Sequence, residues 1–362
     1  MMRAGPLISS AFLDVPYEAE TVKLEPADVL FCDADGLAKA QGPDGFAAPH
    51  PASDRPSHIA ENGASTMGPR FFCRASFQLT CGMVLLCSVA LADDVPIVKR
   101  ANSSFVGTKT GQVRVDNELK MKLVWIPPGE FNMGSPKNEK DRAPDEDQVQ
   151  VTLTRGFWLG QHEVTQADWR RVMQTTPWSG AAYANQGDDY AATYVSWDDA
   201  IKFSEKFTAQ ERATGRLPAG WHYTLPTEAQ WEYACRTGTT TRCSFGNDEA
   251  DLNDYAWWGG LVGDGNAKDE QYAHKVGQRK ANRWGLNDMH GNVSEWCRDW
   301  SDIKLTGGTD PQGPPEGSAR VYRGGNWADD AKFCRSAFRY LDDPANRGGA
   351  LGFRLAAVPS GK

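Results

Sequence analysis

Thirteen tryptophans share this chain with 36 glycines and 21 prolines, a combination that restricts its architecture more than any motif does. Glycine and proline break a backbone into turns and short segments. Indole rings then fill the space that long helices or broad sheets would otherwise fill. The expectation is a domain of modest regular secondary structure packed around aromatic anchors. A chain of 362 residues with 40% hydrophobic residues can bury a sizeable core. Its formal net charge of -8 offers no basic surface to a phosphate backbone, so nucleic acid is not an expected partner.

Residues 1–66 carry scattered Pro, Ala, Asp and Gly without a helical or strand period, which predicts a disordered or untranslated extension. From Met67 the pattern changes. Arg70 and Arg74 form a basic start, an apolar run reaches Val89, and Ala90-Leu91-Ala92 makes a small-residue exit before Asp93. Residues 67–92 therefore read as a signal peptide cleaved near Ala92. The apolar run is shorter than the ~20 residues a spanning helix needs. Cys81 follows Thr80 and Cys87 follows Leu86, whereas a lipid-anchored cysteine wants a small residue before it. The mature chain is expected to begin near Asp93, to be exported to the periplasm or secreted, and to hold no membrane span. Removing Cys32, Cys73, Cys81 and Cys87 leaves Cys235, Cys243, Cys297 and Cys334, which an oxidising space permits to pair in any of three connectivities.

Residues 93–120 read as a leader segment, and the domain proper spans 121–358. Leu123-Val124-Trp125-Ile126 predicts a strand stopped by Pro127 and Pro128. Three helices follow with their caps: "QADWRRVM" after Thr165; one in "SWDDAIKFSEKFTAQERATG", capped by Ser196 with Gly215 following its end; and one in "LPTEAQWEYACRTG", capped by Thr227 with Gly238 beyond it. Beyond the third helix the chain reads as loops between aromatic anchors.

Seven strings in order, "GEFNMGS", "HEVTQADW", "VSWDDAIKF", "LPTEAQWEYACRTG", "WGLNDMHGNVSEW", "RGGNW" and "LGFRLA", resemble the formylglycine-generating enzyme family, also called sulfatase-modifying factors. The resemblance implies a single compact α+β domain of C-type lectin-like fold, with calcium holding loops. It also implies, for active members, an oxidase that holds Cu(I) between two cysteines and converts the cysteine of a Cys-x-Pro-x-Arg sulfatase motif to formylglycine. Paired thiolates suit a soft ion such as Cu(I). This chain departs from that pattern. In "GGNWADDAKFC", Asp329 falls where the first cysteine would, Asn326 replaces a serine, and Ser294 replaces the tryptophan before "EW". Counted from Gly324-Gly325, Cys334 falls on the second cysteine; counted back from Arg335–Arg339, neither cysteine is matched.

Two uses of Cys334 stay open at this point. The resemblance implies a bridge between Cys334 and Cys235, with Cys243 and Cys297 completing the set; it would close a loop of about a hundred residues, worth roughly 3–5 kcal/mol. The other use is a reactive, catalytic thiol with its pKa lowered by Arg335 or Arg339. The resemblance also places a calcium site on Asp288, Gly291, Val293 and Glu295, an all-oxygen set. The scattered histidines, His162 and His290 among them, are expected to be structural. The functional expectation is an exported binding or accessory module whose ligand cleft is formed by Ser294, Asn326, Trp327 and Asp329, receiving a peptide or protein, with a sulfatase as one such partner. The alternative is a copper-dependent formylglycine-generating oxidase.

Overall fold

The computed structural model describes residues 29–32, 38–41, 105–261, 265–267 and 270–361. The chain forms two units, Met1–Leu91 and Ala92–Lys362. In the first, strands β1 (Val29–Cys32) and β2 (Ala38–Gln41) make an antiparallel hairpin inside the segment expected to be disordered. The signal-peptide reading of 67–92 lies outside the described residues.

In the second unit, β3 (Val113–Arg114), β4 (Leu123–Ile126), β7 (Phe157–Gly160), β14 (Ala356–Pro359) and β8 (Trp221–Thr224) form an antiparallel sheet in the order β3-β4-β7-β14-β8. Because strand side chains alternate, the run Leu-Val-Trp-Ile feeds two cores at once. Leu123 and Trp125 join Trp158 and Ala357 on one face; Val124 and Ile126 join Phe157, Leu159, Ala356 and Val358 on the other. A strand covered on both sides needs no polar residue, which is why this one has none.

Helices α1 (Gln166–Met173) and α2 (Trp197–Ala213) cover the first face through Trp169, Val172, Phe203 and Phe207. Helix α3 (Glu228–Arg236) covers the second through Ala229, Trp231 and Ala234. All three start at the expected residues, and each carries a complete capping box, for example Thr165 with Asp168. A further short helix, α4, spans Leu252–Tyr255. Strands β5 (Gly129–Met133) and β6 (Val149–Leu153) pair with each other, and β10 (Gly308–Thr309) joins β6.

Two expectations are corrected here. Residues from Phe105 onward are part of the domain rather than a leader: Phe105 packs on Trp158 and Trp221, its carbonyl accepts the Trp158 indole N–H at 2.7 Å, and β3 pairs with β4. The region after α3 is also more than loops. Strand β9 (Ser294–Trp300), the longest of the described strands, lies in a sheet of order β12-β11-β9-β13 with β11 (Arg320–Arg323), β12 (Arg339–Asp342) and β13 (Leu351–Gly352).

Candidate functional site

The Gly324-Gly325 pair after β11 sets the site. Both glycines have positive φ, 104° and 68°. A Cβ on Gly325 would lie 2.8 Å from the Cys334 sulfur and 2.9 Å from the Phe333 carbonyl, so the approach of the two segments admits only glycine. The turn sends Asn326 and Trp327 one way and packs Cys334 behind them. Asn326 and Trp327, together with Ser294 from the start of β9, line a cleft of ≈ 310 Å³. Tyr183, Tyr322 and Leu261 complete its aromatic and apolar wall. Tyr183 is 54% exposed and faces Trp327 at 6.1 Å between ring centroids. Three of the four expected cleft residues therefore meet at one place. The fourth, Asp329, stands behind the wall: Asn326 donates from Nδ2 to Asp329 Oδ2 at 2.8 Å and to Ser294 Oγ at 3.1 Å. Burial pushes the Asp329 carboxyl up to about 6, against the opposing bond from Tyr340.

Cys334 has no access to that cleft. It is fully buried with Ala331, Leu252, Ala256 and Trp258. Burial raises its thiol well above the usual value, and Asp329 adds to the effect. The arginines that could have lowered it are committed elsewhere: Arg335 to Glu139 and Glu146, Arg339 to Glu228. The environment of Cys334 is thus the reverse of what a catalytic thiolate needs.

The expected disulfides are not formed; all four cysteines are buried free thiols. Helix α3 aims Cys235 at Ser336, 3.6 Å from its hydroxyl, two positions beyond Cys334. Between Cys235 and Cys334 stands His290. Its Nδ1 donates to the Cys334 carbonyl at 2.8 Å while its Nε2 accepts from the Ser244 amide at 3.1 Å, a bonding pattern that assigns one neutral tautomer. Cys297, on β9, faces the core, while Cys243 lies 4.0 Å from the Cys334 carbonyl, and the pairing of Cys243 with Cys297 is also not formed. Burial pushes Cys235 up to about 12 and Cys297 well above its usual range. Accordingly, iodoacetamide is expected to leave Cys235, Cys243, Cys297 and Cys334 unmodified in the native protein and to label all four after guanidinium, without prior reductant. Peptide mapping that finds any of them bridged would reverse this assignment.

The expected calcium ligands fall beside the cleft floor. Asp288 is buried with φ 59°; its Oδ2 accepts the Gly277 amide at 2.6 Å, and its Oδ1 has no partner. Glu163, a residue absent from the sequence-based set, points its own unpartnered Oε2 into the same region, with Oε1 held by Asn292 Nδ2 at 3.0 Å. Burial raises both carboxyls, Asp288 to about 6 and Glu163 well above the usual range; the charges of Asp288 and Glu295 raise Glu163 further, while the Gly277 amide and Arg354 oppose the rise at Asp288. Two orphaned carboxylate oxygens in one buried place fit a hard cation such as Ca²⁺. Glu295 does not fit that role. Arg354 takes both of its oxygens, at 2.6 and 2.5 Å, and Trp231 Nε1 adds a third bond at 2.6 Å. Among the described residues no group of three or more His, Cys, Asp or Glu side chains forms a metal site. Gly291 and Val293 carry the loop onward: Asn292 accepts the Trp327 amide on its carbonyl at 2.9 Å, and Val293 packs against Trp327. What settles this loop settles the cleft floor.

No local signal marks Glu163 as buried: it lies in the short, mostly polar step Gln161-His162-Glu163-Val164 between β7 and the α1 cap, where an acid reads as solvent-facing.

Irregular loops held over two sheets and gathered around one cleft define an α+β domain whose site is made by turns rather than by strand ends. The chain belongs to the sulfatase-modifying factor enzyme 1-like domain family, whose model matches residues 110–358. It is 28% identical over 257 residues to the chaperone protein LppX of Paenibacillus barcinonensis, covering 61% of this chain and 86% of that protein. It is 32% identical over 225 residues to the formylglycine-generating enzyme of Streptomyces coelicolor, covering 59% and 65%. Among solved structures, PvdO from Pseudomonas aeruginosa superposes with a TM-score of 0.60 at 26% identity, over 69% of this chain and 99% of that one. Among the described residues no helix is long and apolar enough to cross a membrane.

Proposed function

We propose that this chain is a family member without oxidase chemistry, an exported binding module whose cleft takes an extended peptide segment. The observation that carries this reading is the absence of a thiol at the cleft: the first cysteine position holds Asp329, a hard oxygen donor ill suited to Cu(I), and Cys334 is buried behind Gly325. A volume of ≈ 310 Å³ lies at the small end of ligand pockets, suited to one or two side chains of a peptide lying across Trp327 and Tyr183. The relative named as a chaperone protein supports a binding role; the relative named as a formylglycine-generating enzyme is the reason the oxidase reading must be tested. Calcium held by Glu163 and Asp288 supplies electrostatic closure of the loop under Trp327. It takes no part in redox chemistry.

The test uses a fluorescent Cys-x-Pro-x-Arg peptide with Cu(I), oxygen and a thiol reductant. The expected result is an unchanged peptide by mass spectrometry. Among peptides bound in an anisotropy screen, Trp327→Ala is expected to weaken binding about ten-fold or more, as loss of a central aromatic contact does. An aldehyde product made by the wild type and lost in Cys334→Ser would return the chain to the oxidases.

A further inference from the structure

A second cavity, of ≈ 700 Å³, shares no wall residue with the cleft. It opens where the ends of β6, β8, β10 and β14 meet the start of α3. Three basic side chains line it: Arg155 from the turn after β6, His222 from β8 and Arg298 from β9. The only carboxylate on the wall, Asp310, is already used: Thr154 binds its two oxygens through its amide, at 2.8 Å, and its hydroxyl.

Arg298 is the anomaly. Elsewhere in this domain a guanidinium packed into the interior meets a carboxylate, as Arg236, Arg323, Arg335, Arg339 and Arg354 do. Arg320 instead lies between the rings of Trp197 and Trp300, at 3.7 and 3.3 Å. Among the described residues half-buried Arg298 has neither; its side chain donates to the amide oxygen of Gln312. Strand alternation explains why. Cys297 is buried in the core and Asp299 accepts the Glu228 amide at 2.9 Å, so Arg298 between them is left to the cavity. Arg155 likewise has no carboxylate among the described residues and donates to the Gly361 carbonyl. His222 holds Ser360 Oγ at 3.1 Å. Burial lowers the pKa of both His222 and Arg298, and for His222 the charges of Arg298 and Arg212 lower it further. A wall with two guanidiniums and one hydrogen-bonded carboxylate keeps a net positive charge and is complementary to an anion.

We propose that this cavity binds an oxyanion, presented either as the side-chain carboxylates of an acidic peptide or as a sulfate or phosphate ester, with Arg298 as its anchor and Arg155 and His222 beside it. A guanidinium fork serves both presentations by paired hydrogen bonds, which is why the chemistry is shared and the source is a matter for experiment.

Full-length protein is titrated separately with inorganic phosphate and with an end-blocked tetraglutamate peptide, following heat by calorimetry and the His222 ring by NMR. Saturable binding of at least one probe, with the His222 signals moving, is expected. Phosphate alone identifies an ester-type ligand; the peptide alone identifies an acidic segment. Arg298→Gln is expected to weaken binding about ten-fold, the loss of one charged hydrogen-bonding partner. Arg155→Gln, an exposed substitution that leaves the core intact, is expected to weaken it as well. Absence of saturation with both probes, or equal affinity in the wild type and both arginine variants, overturns the proposal.

Discussion

Glu232→Ala is expected to destabilise this domain by about 3–5 kcal/mol, the cost of leaving buried cations without their partner. Glu232 sits on α3 with no exposed surface. Its Oε1 accepts from Arg236 Nε at 2.7 Å and from the Gly134 amide at 2.8 Å, and its Oε2 accepts from Arg323. Arg323 is itself fully buried, 3.4 Å from Glu228, and Glu228 in turn holds Arg339. This chain of charges ties α3 to β11, β12 and the turn after β5. Removing its middle carboxylate strands two guanidiniums at once. A neighbouring control separates this effect from mere loss of an acid: Glu130, exposed and in contact with Thr152 at 3.4 Å, is expected to change stability by no more than about 0.5 kcal/mol when made alanine. Urea unfolding of both variants decides the matter. Equal midpoints for Glu232→Ala and Glu130→Ala would falsify the claim that the lattice holds the domain together.

The same lattice shows why part of the fold was legible in the sequence and part was not. Helix starts are local events. Thr165 and Asp168 bond each other across three residues, so the string around them carries the whole signal. Strand β4 was equally plain, because a run of four apolar residues between turns has few other uses. Strand β9 gave no such signal. Its sequence, Ser-Glu-Trp-Cys-Arg-Asp-Trp, reads as polar, yet Glu295 is buried because Arg354 lies on it from 59 positions away, and Asp299 because it accepts the amide of Glu228, 71 positions away. Periodicity counts side chains along one segment and cannot register a partner supplied by another.

The cleft divides along the same line. Gly324-Gly325 announced a tight turn, and Ser294, Asn326 and Trp327 were found together because their strings already belonged to one resemblance. Cysteine pairing is a tertiary fact. Cys235 faces Ser336 rather than Cys334, a displacement of two residues that no count along the sequence could detect. Glu163 escaped for the same reason, being 125 positions before the nearest member of the expected calcium set, Asp288 (288 − 163).

Glu163 also supplies the second large effect. If calcium sits between Glu163 and Asp288, protein stripped with EDTA and then given calcium at a hundred times its dissociation constant should gain about 2.7 kcal/mol of stability, by mass action on the folded state. Glu163→Gln removes one negative charge while its amide oxygen can still accept from Asn292. Without calcium this variant is expected to be no less stable than the wild type, since the burial of adjacent acids that raises both carboxyls is relieved. With calcium it should lose most of the gain, because the orphaned oxygen that received the ion no longer carries charge. Glu295→Gln separates this role from a structural one. Its carboxylate answers Arg354, so its loss should destabilise the domain equally with and without calcium. Thermal unfolding of the three proteins in EDTA and in calcium reads all of this directly. A calcium response of the same size in Glu163→Gln and the wild type would move the ion away from this pair; a response lost only in Glu295→Gln would restore Glu295 as its ligand.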